Sequence, residues 1–135
     1  MQPKTKKKKI LVVGYELDML IFLANLLRNE GFQVLAVKNG ADGIRKARKK
    51  PPALVILDVM MPGESGIHTY RLLKNDGQLN RIPVIMLSAI DRETFFHYQK
   101  FDGFKTGQGI PEPEAFLEKP PEAEELIRLV NEFIR

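Results

Sequence analysis

Apolar runs too short to be helices recur between amphipathic stretches, and this rhythm restricts the chain more than any other feature. Ile10-Leu11-Val12-Val13, Ala53-Leu54-Val55-Ile56-Leu57 and Pro83-Val84-Ile85-Met86-Leu87 contain no polar side chain. A strand apolar on both sides must be covered on both sides, which is the habit of parallel sheets. Phe32 to Val37 is rich in β-branched and apolar residues and reads as a second strand, and Phe116-Leu117 as a brief fifth one. After the first run, Leu17, Leu20, Ile21, Ala24 and Leu27 recur at helical spacing as far as Gly31, which tolerates positive φ. A second helix carries Ala41, Ile44 and Ala47 on one face, and Pro51-Pro52 forbids its continuation. A third, after a loop from Pro62 to Gly66, carries Ile67, Tyr70, Leu72 and Leu73. A short helix with Phe95, Phe96 and Tyr98 is expected between Asp91 and Phe101. The last begins near Glu122 and presents Ala123, Leu126, Ile127, Val130, Phe133 and Ile134. Five strand-then-helix units predict an α/β domain, a doubly wound parallel sheet with helices on both faces.

At 135 residues the chain suits one such domain, expected over residues 10–135 behind a basic tail of residues 1–9. No apolar run approaches the length of a membrane span, and no signal peptide is readable, so a cytoplasmic protein without a membrane partner is expected. Cysteine is absent, which removes disulfides and thiolate metal sites. Charge is unevenly spread. Residues 1–50 hold 12 Lys/Arg against 4 Asp/Glu, and residues 51–135 hold 9 against 13. The basic excess comes from Lys4, Lys6 to Lys9, and the stretch Arg45 to Lys50. No aromatic interleaving or DNA-binding motif accompanies it, so it reads as a solvated arm and helix end rather than a nucleic-acid site.

In a doubly wound sheet, ligand chemistry belongs just beyond the carboxyl ends of the strands. Three polar residues stand there: Asp58 after Leu57, Ser88 after Leu87, and Lys119 after the Phe116-Leu117 strand. A carboxylate can act as nucleophile, an ammonium can neutralise phosphoryl charge, and a hydroxyl can bond a phosphoryl oxygen. Together they form a phosphoryl-handling set.

The stretch Leu54-Val-Ile-Leu-Asp58-Val-Met-Met-Pro62-Gly63, with Gly66, is similar to the phosphoacceptor strand and loop of response-regulator receivers. Ser88-Ala89 and Lys119-Pro120 match the family's other two signatures in order. The resemblance covers the chain from Ile10 to the last helix. It implies a flavodoxin-like, five-stranded sheet of order 2-1-3-4-5, an arrangement for which a receiver is a standard illustration. It also implies that a histidine kinase or another signalling protein is the partner and that Asp58 is the phosphoacceptor. Ser88 and the aromatic Phe116 would be the switch residues, altering the face formed by the fourth helix, fifth strand and fifth helix. A signalling module rather than an enzyme follows. A small hydrolase or nucleotide-binding domain is the remote alternative, lacking a Gly-rich strand-to-helix turn and a Ser/His pair.

The family normally places two adjacent acidic residues after the first strand to hold magnesium, and here those positions are Gly14 and Tyr15. Only Asp58, Glu16 and the Met60 backbone remain as candidate ligands, and magnesium is usually bound through one or two carboxylates beside phosphate. With Asp58 and Lys119 already near neutrality, no cofactor is expected at rest and Asp58 is expected to pair with Lys119. The alternative is a conventional phosphorylatable receiver with a weak magnesium site rescued by Glu16. Tyr15 either fills the vacated space or faces solvent. The segment from Ser88 to Lys119 is longer than the family's usual span, with Lys105 to Glu114 reading as an inserted loop. His68 and His97 lack ligand spacing.

Overall fold

The computed structural model describes residues 7–61, 64–89, 93 and 112–134. Five parallel strands form one sheet: β1 (Lys9–Val13), β2 (Gln33–Val37), β3 (Leu54–Asp58), β4 (Val84–Ser88) and β5 (Ala115–Glu118). Their order is β2-β1-β3-β4-β5, the order 2-1-3-4-5. Four helices are described: α1 (Leu17–Asn29), α2 (Gly40–Lys49), α3 (Gly66–Asn75) and α4 (Ala123–Phe133). Met60–Met61 and Glu64–Ser65 pair as a small antiparallel ribbon where an open loop was expected. The expected helix between Asp91 and Phe101 and most of the inserted loop lie outside the described residues. β1 opens at Lys9, one residue inside the segment read as tail.

Strand periodicity explains the unbroken apolar runs. Ile10, Val12, Leu54, Ile56, Ile85 and Leu87 enter one core layer with Leu20, Leu23 and Leu27 of α1 and Leu126 and Val130 of α4. Their neighbours Leu11, Val13, Val55, Leu57, Val84 and Met86 enter the opposite layer with Ile44 and Ala47 of α2 and Ile67, Tyr70 and Leu73 of α3. Successive side chains point to opposite faces, so both layers need apolar residues at every position. Burying each large aliphatic side chain is worth about 1.5–3 kcal/mol.

Two helix faces differ from the sequence expectation. Leu17 and Ile21 were placed on the core face of α1, but they are 56% and 50% exposed, and Leu23 is buried instead. On α2, Ala41 is exposed and Gly43 is buried. A Cβ at residue 43 would stand 2.9 Å from Val13 Cγ2, so α2 lies closer to β1 than any side chain there allows. Leu72 of α3 is also exposed.

Asn39 caps α2, its side-chain oxygen accepting from the Asp42 N–H at 2.8 Å. Gly31 closes α1 with φ of 96°. Glu114, the last residue of the expected insertion, is tied to the sheet, where its carboxylate accepts from the Val84 N–H at 2.7 Å and lies 3.6 Å from Lys74 Nζ.

Gly66 is the tightest approach. A Cβ there would meet Val59 Cα at 2.3 Å and the Asp58 carbonyl oxygen at 2.6 Å. Both are backbone, so Gly66→Ala is expected to destabilise by about 2 kcal/mol or more, in the range of overpacked sites. Gly77→Ala, with nothing within 4 Å, should stay within about 0.5 kcal/mol of the parent. Denaturant midpoints at unchanged slope measure both, and equal effects would contradict the packing described.

Candidate functional site

Each residue at the carboxyl end of the sheet is held by a different element. Asp58 ends β3, where its side chain is fully buried. The β3–β4 register sets Asp58 opposite Leu87, and the Val59 N–H donates to the Leu87 carbonyl at 3.0 Å. Ser88, also fully buried, follows and pairs with Glu118 of β5. Lys119 comes next, and its N–H donates to the Ser88 carbonyl at 2.7 Å. The peptide joining Lys119 to Pro120 is cis.

The Lys119 ammonium is the centre of the site. Nζ donates to Asp58 Oδ2 at 3.1 Å and to Glu16 Oε1 at 2.8 Å. Glu16 stands at the N-cap position of α1, yet its side chain makes no cap hydrogen bond and reaches Lys119 instead. The sequence offers Glu16 only as a candidate magnesium ligand, and the structure sets it on Lys119. Sequence reasoning paired Asp58 with Lys119 alone and counted the cleft as neutral, whereas Glu16 adds a second carboxylate. Burial works against the Lys119 charge, but hydrogen bonds and attraction from Glu16 and Asp58 outweigh it and hold its pKa above the usual lysine value.

The other predicted positions fall as follows. Gly14 is buried beside the acid, and a Cβ there would lie 3.5 Å from Asp58 Cβ. Tyr15 is 56% exposed, facing solvent rather than filling the space. Phe116 lies half-buried in β5, packed on the core layer that contains Tyr70, whose hydroxyl pKa is raised first by burial and then by Glu114 and Glu112. Met60 lies in the small ribbon opposite Ser65. His68 is exposed on α3, and His97 lies outside the described residues. Between Lys119 and α1 opens a cavity of about 420 Å³ lined by Glu16, Met19, Phe22, Ala89, Lys119 and Pro120 among others.

Receiver domains generally bind magnesium, and these residues are a poor fit for it. Positions 14 and 15 offer no carboxylate, and Asp58 and Glu16 are already bridged by an ammonium. Among the described residues, no group of three or more His, Cys, Asp or Glu is arranged to hold a metal ion. A dication would have to displace Lys119 from both oxygens or sit beside its charge.

This buried acid at the end of the central strand, met by a lysine from beyond the fifth, defines a class when set beside known proteins. The response regulator receiver domain model matches residues 10–131, and the chain belongs to that family, a receiver of two-component signalling. It is 32% identical over 123 residues to the protein PilH of Pseudomonas aeruginosa, covering 91% of this chain and 94% of PilH. It is 28% identical to the polar-differentiation response regulator DivK of Brucella anthropi, over 95% of this chain and 96% of DivK. Among solved structures, the receiver domain of a signal transduction histidine kinase from Syntrophus aciditrophicus superposes with a TM-score of 0.78 at 26% identity, covering 94% of this chain and 89% of that one. Receivers are generally signalling modules rather than enzymes. No helix among the described residues is long and apolar enough to cross a membrane.

Removing Lys119 takes away the ammonium that buried Asp58 shares with Glu16. Lys119→Met is expected to destabilise by about 3 kcal/mol, the scale for breaking a buried pair. Asp58→Asn with Lys119→Met should recover at least half of that. Because the folded pKa of Lys119 is raised, its stabilisation is fully present below the ordinary value of 10.5 and is lost as pH climbs through the higher folded value. The stability gap between parent and Lys119→Met, measured by denaturation, should therefore hold constant from neutrality to about pH 10 and narrow above it. A gap that stays constant as pH climbs through the higher folded value would contradict this electrostatic account.

Proposed function

We propose that this receiver keeps a phosphoacceptor, Asp58, while its magnesium-dependent phosphorylation is impaired, and that its output is protein binding. The observation that carries the reading is the Lys119 ammonium shared between buried Asp58 and Glu16. In the proposed chemistry an Asp58 carboxylate oxygen attacks the phosphorus of an activated phosphoryl donor and the donor's leaving group departs. Lys119 offsets the added charge, and Ser88, whose carbonyl already accepts from the Lys119 N–H, turns its hydroxyl to a phosphoryl oxygen. Phe116, packed on the neighbouring core layer, responds from β5. The protein is read as cytoplasmic and not an enzyme, with a histidine kinase or another signalling protein as partner.

The docking surface for that partner is α1. Leu17, Ile21 and Phe22 are all exposed, and Phe22 with Met19 lines the cavity that opens onto Lys119. Exposed large apolar residues bordering a charged site are the ordinary mark of a protein–protein surface.

A conventional phosphorylatable receiver with a weak magnesium site is the second reading. What favours it is Glu16, already positioned within 2.8 Å of Lys119 as a second carboxylate.

Incubation with acetyl phosphate, followed by intact mass, separates the two. The expected result is partial gain of one phosphoryl on the parent, none on Asp58→Ala, and less than about a twofold change on adding millimolar magnesium, since the cleft offers a dication few free carboxylate oxygens. Gly14→Asp with Tyr15→Asp should make the gain magnesium-dependent, since a side chain at 14 abuts Asp58 and presses only on the flexible end of Met19 and on Leu20. Strong magnesium dependence in the parent would decide for the conventional reading.

A further inference from the structure

The opposite end of the sheet carries charge that the proposed function does not use. Because all five strands are parallel, their amino ends gather away from Asp58. Lys7 and Lys8 lead into β1 there, Lys9 opens it, and Lys46, Lys49 and Lys50 stand at the close of α2. Lys9 Nζ donates to the Lys50 carbonyl at 2.8 Å, and the Ala53 N–H donates to the Lys9 carbonyl at 2.8 Å. These bonds draw the two lysine runs into one surface.

The arginines of α2 are committed elsewhere, Arg45 to Asp42 and Arg48 to Asp76, each at 2.8 Å. Among the described residues, no carboxylate lies within ion-pair distance of Lys7, Lys8, Lys9, Lys46, Lys49 or Lys50. Burial, then the charges of Lys50 and Lys46, hold the Lys9 pKa below the usual lysine value. The cluster therefore contains mutual repulsion that an anionic partner would relieve.

The chemistry of the cluster narrows the partner. It is made of lysines, compact point charges, without the planar forks that grip single phosphates in pairs. α2 directs its carbonyl end there, so backbone N–H groups do not supplement the ammoniums. The six described residues of the cluster are all lysines, with no aromatic side chain among them on which a base would stack. Point charges spread over two elements suit a flat, multivalent array of negative charge. We propose that Lys7 to Lys9 with Lys46, Lys49 and Lys50 form a docking patch for an anionic phospholipid surface. The contact is peripheral and needs no spanning segment. It holds the domain with Asp58 and the first turn of α1, which carries Leu17, away from the lipid and open to a protein partner.

Vesicle co-sedimentation of the full chain tests this, with phosphatidylcholine alone against phosphatidylcholine containing about 30 mol % phosphatidylserine. Binding is expected only to the anionic vesicles, weakening steeply from low to physiological salt as screening sets in. The triple variant Lys46→Gln, Lys49→Gln, Lys50→Gln should lower the partition coefficient about 100-fold, at roughly fivefold for each charge. The Arg versions of the same three should retain it, and circular dichroism of both triples guards against a folding artefact. Equal binding to neutral vesicles, an unaltered Gln triple, or no binding to anionic vesicles would each overturn the proposal. Capture of a random-sequence DNA duplex with no vesicle binding would overturn it in favour of nucleic acid. The vesicle assay involves no phosphoryl transfer, so its outcome is independent of the chemistry at Asp58.

Discussion

A carboxylate buried at the end of the central strand needs groups that answer its charge, and here the Lys119 ammonium is one of them. The rest of the carboxyl end is arranged around this pair. The β3–β4–β5 register carries the chain from Asp58 across Ser88 to Lys119, Gly14 leaves room beside the acid, and Gly66 lets α3 start against the Asp58 carbonyl. Yet the pair is not what makes the fold stable. Desolvating two charges offsets most of their attraction, and well-packed apolar side chains in their place are often as stable or more so. The two apolar layers already supply the driving force for folding. A buried charge retained at a strand end, where side chains meet solvent and partners, points to chemistry rather than to stability.

The fold was legible because parallel strands buried on both sides leave an uninterrupted apolar record, and the three chemistry-bearing residues stood out because each interrupts or ends such a run. Helix orientation was less legible. Leu17, Leu20, Ile21, Ala24 and Leu27 make a good stripe, but so do Leu20, Leu23, Ala24 and Leu27, and the two differ by a modest rotation about the axis. Spacing alone cannot choose between them when the outward side of α1 is also apolar. Glu16 was undervalued for another reason. Its partner lies 103 residues away, and nothing local distinguishes a carboxylate that reaches across a cleft from one that caps its own helix. Gly43 and Gly66 carried no pattern that separates a close approach from an ordinary turn.

Charge is sorted along the sheet as well as within the site. At the carboxyl end, carboxylates and an ammonium are interleaved, and the helix that follows begins with Glu124 and Glu125, which suit its positive amino end. At the amino end the lysines of β1 and α2 have no carboxylate within ion-pair distance among the described residues, although Asp76 and Glu114 stand at the same end of the sheet. A local cluster of one sign at the close of α2 and a compensated cluster at the carboxyl end tend to orient the domain toward charged surfaces before contact. The apolar side of α1 lies beside the compensated end, where short-range packing rather than charge would govern docking. Two kinds of surface are thus kept apart, each matched to a different interaction.

The makeup of the cleft also assigns roles to its two acids. Asp58 is fully buried and Glu16 is 59% exposed at its side chain, so their freedom differs although one ammonium holds both. Under the proposed function, a phosphoryl on Asp58 replaces one negative charge by about two, while Lys119 still contributes only one positive. Two acceptors that shared the ammonium comfortably would then compete for it, and the phosphoryl, with more charge and more oxygens, would win. Glu16 is the acid able to leave, because its exit exposes it to water rather than stranding it in the interior. It stands at the start of α1, so its release would act at the entrance to the helix whose apolar side faces outward. Under that reading the lysine is the element that senses the added charge, and the acid it abandons is the one positioned to pass that change on.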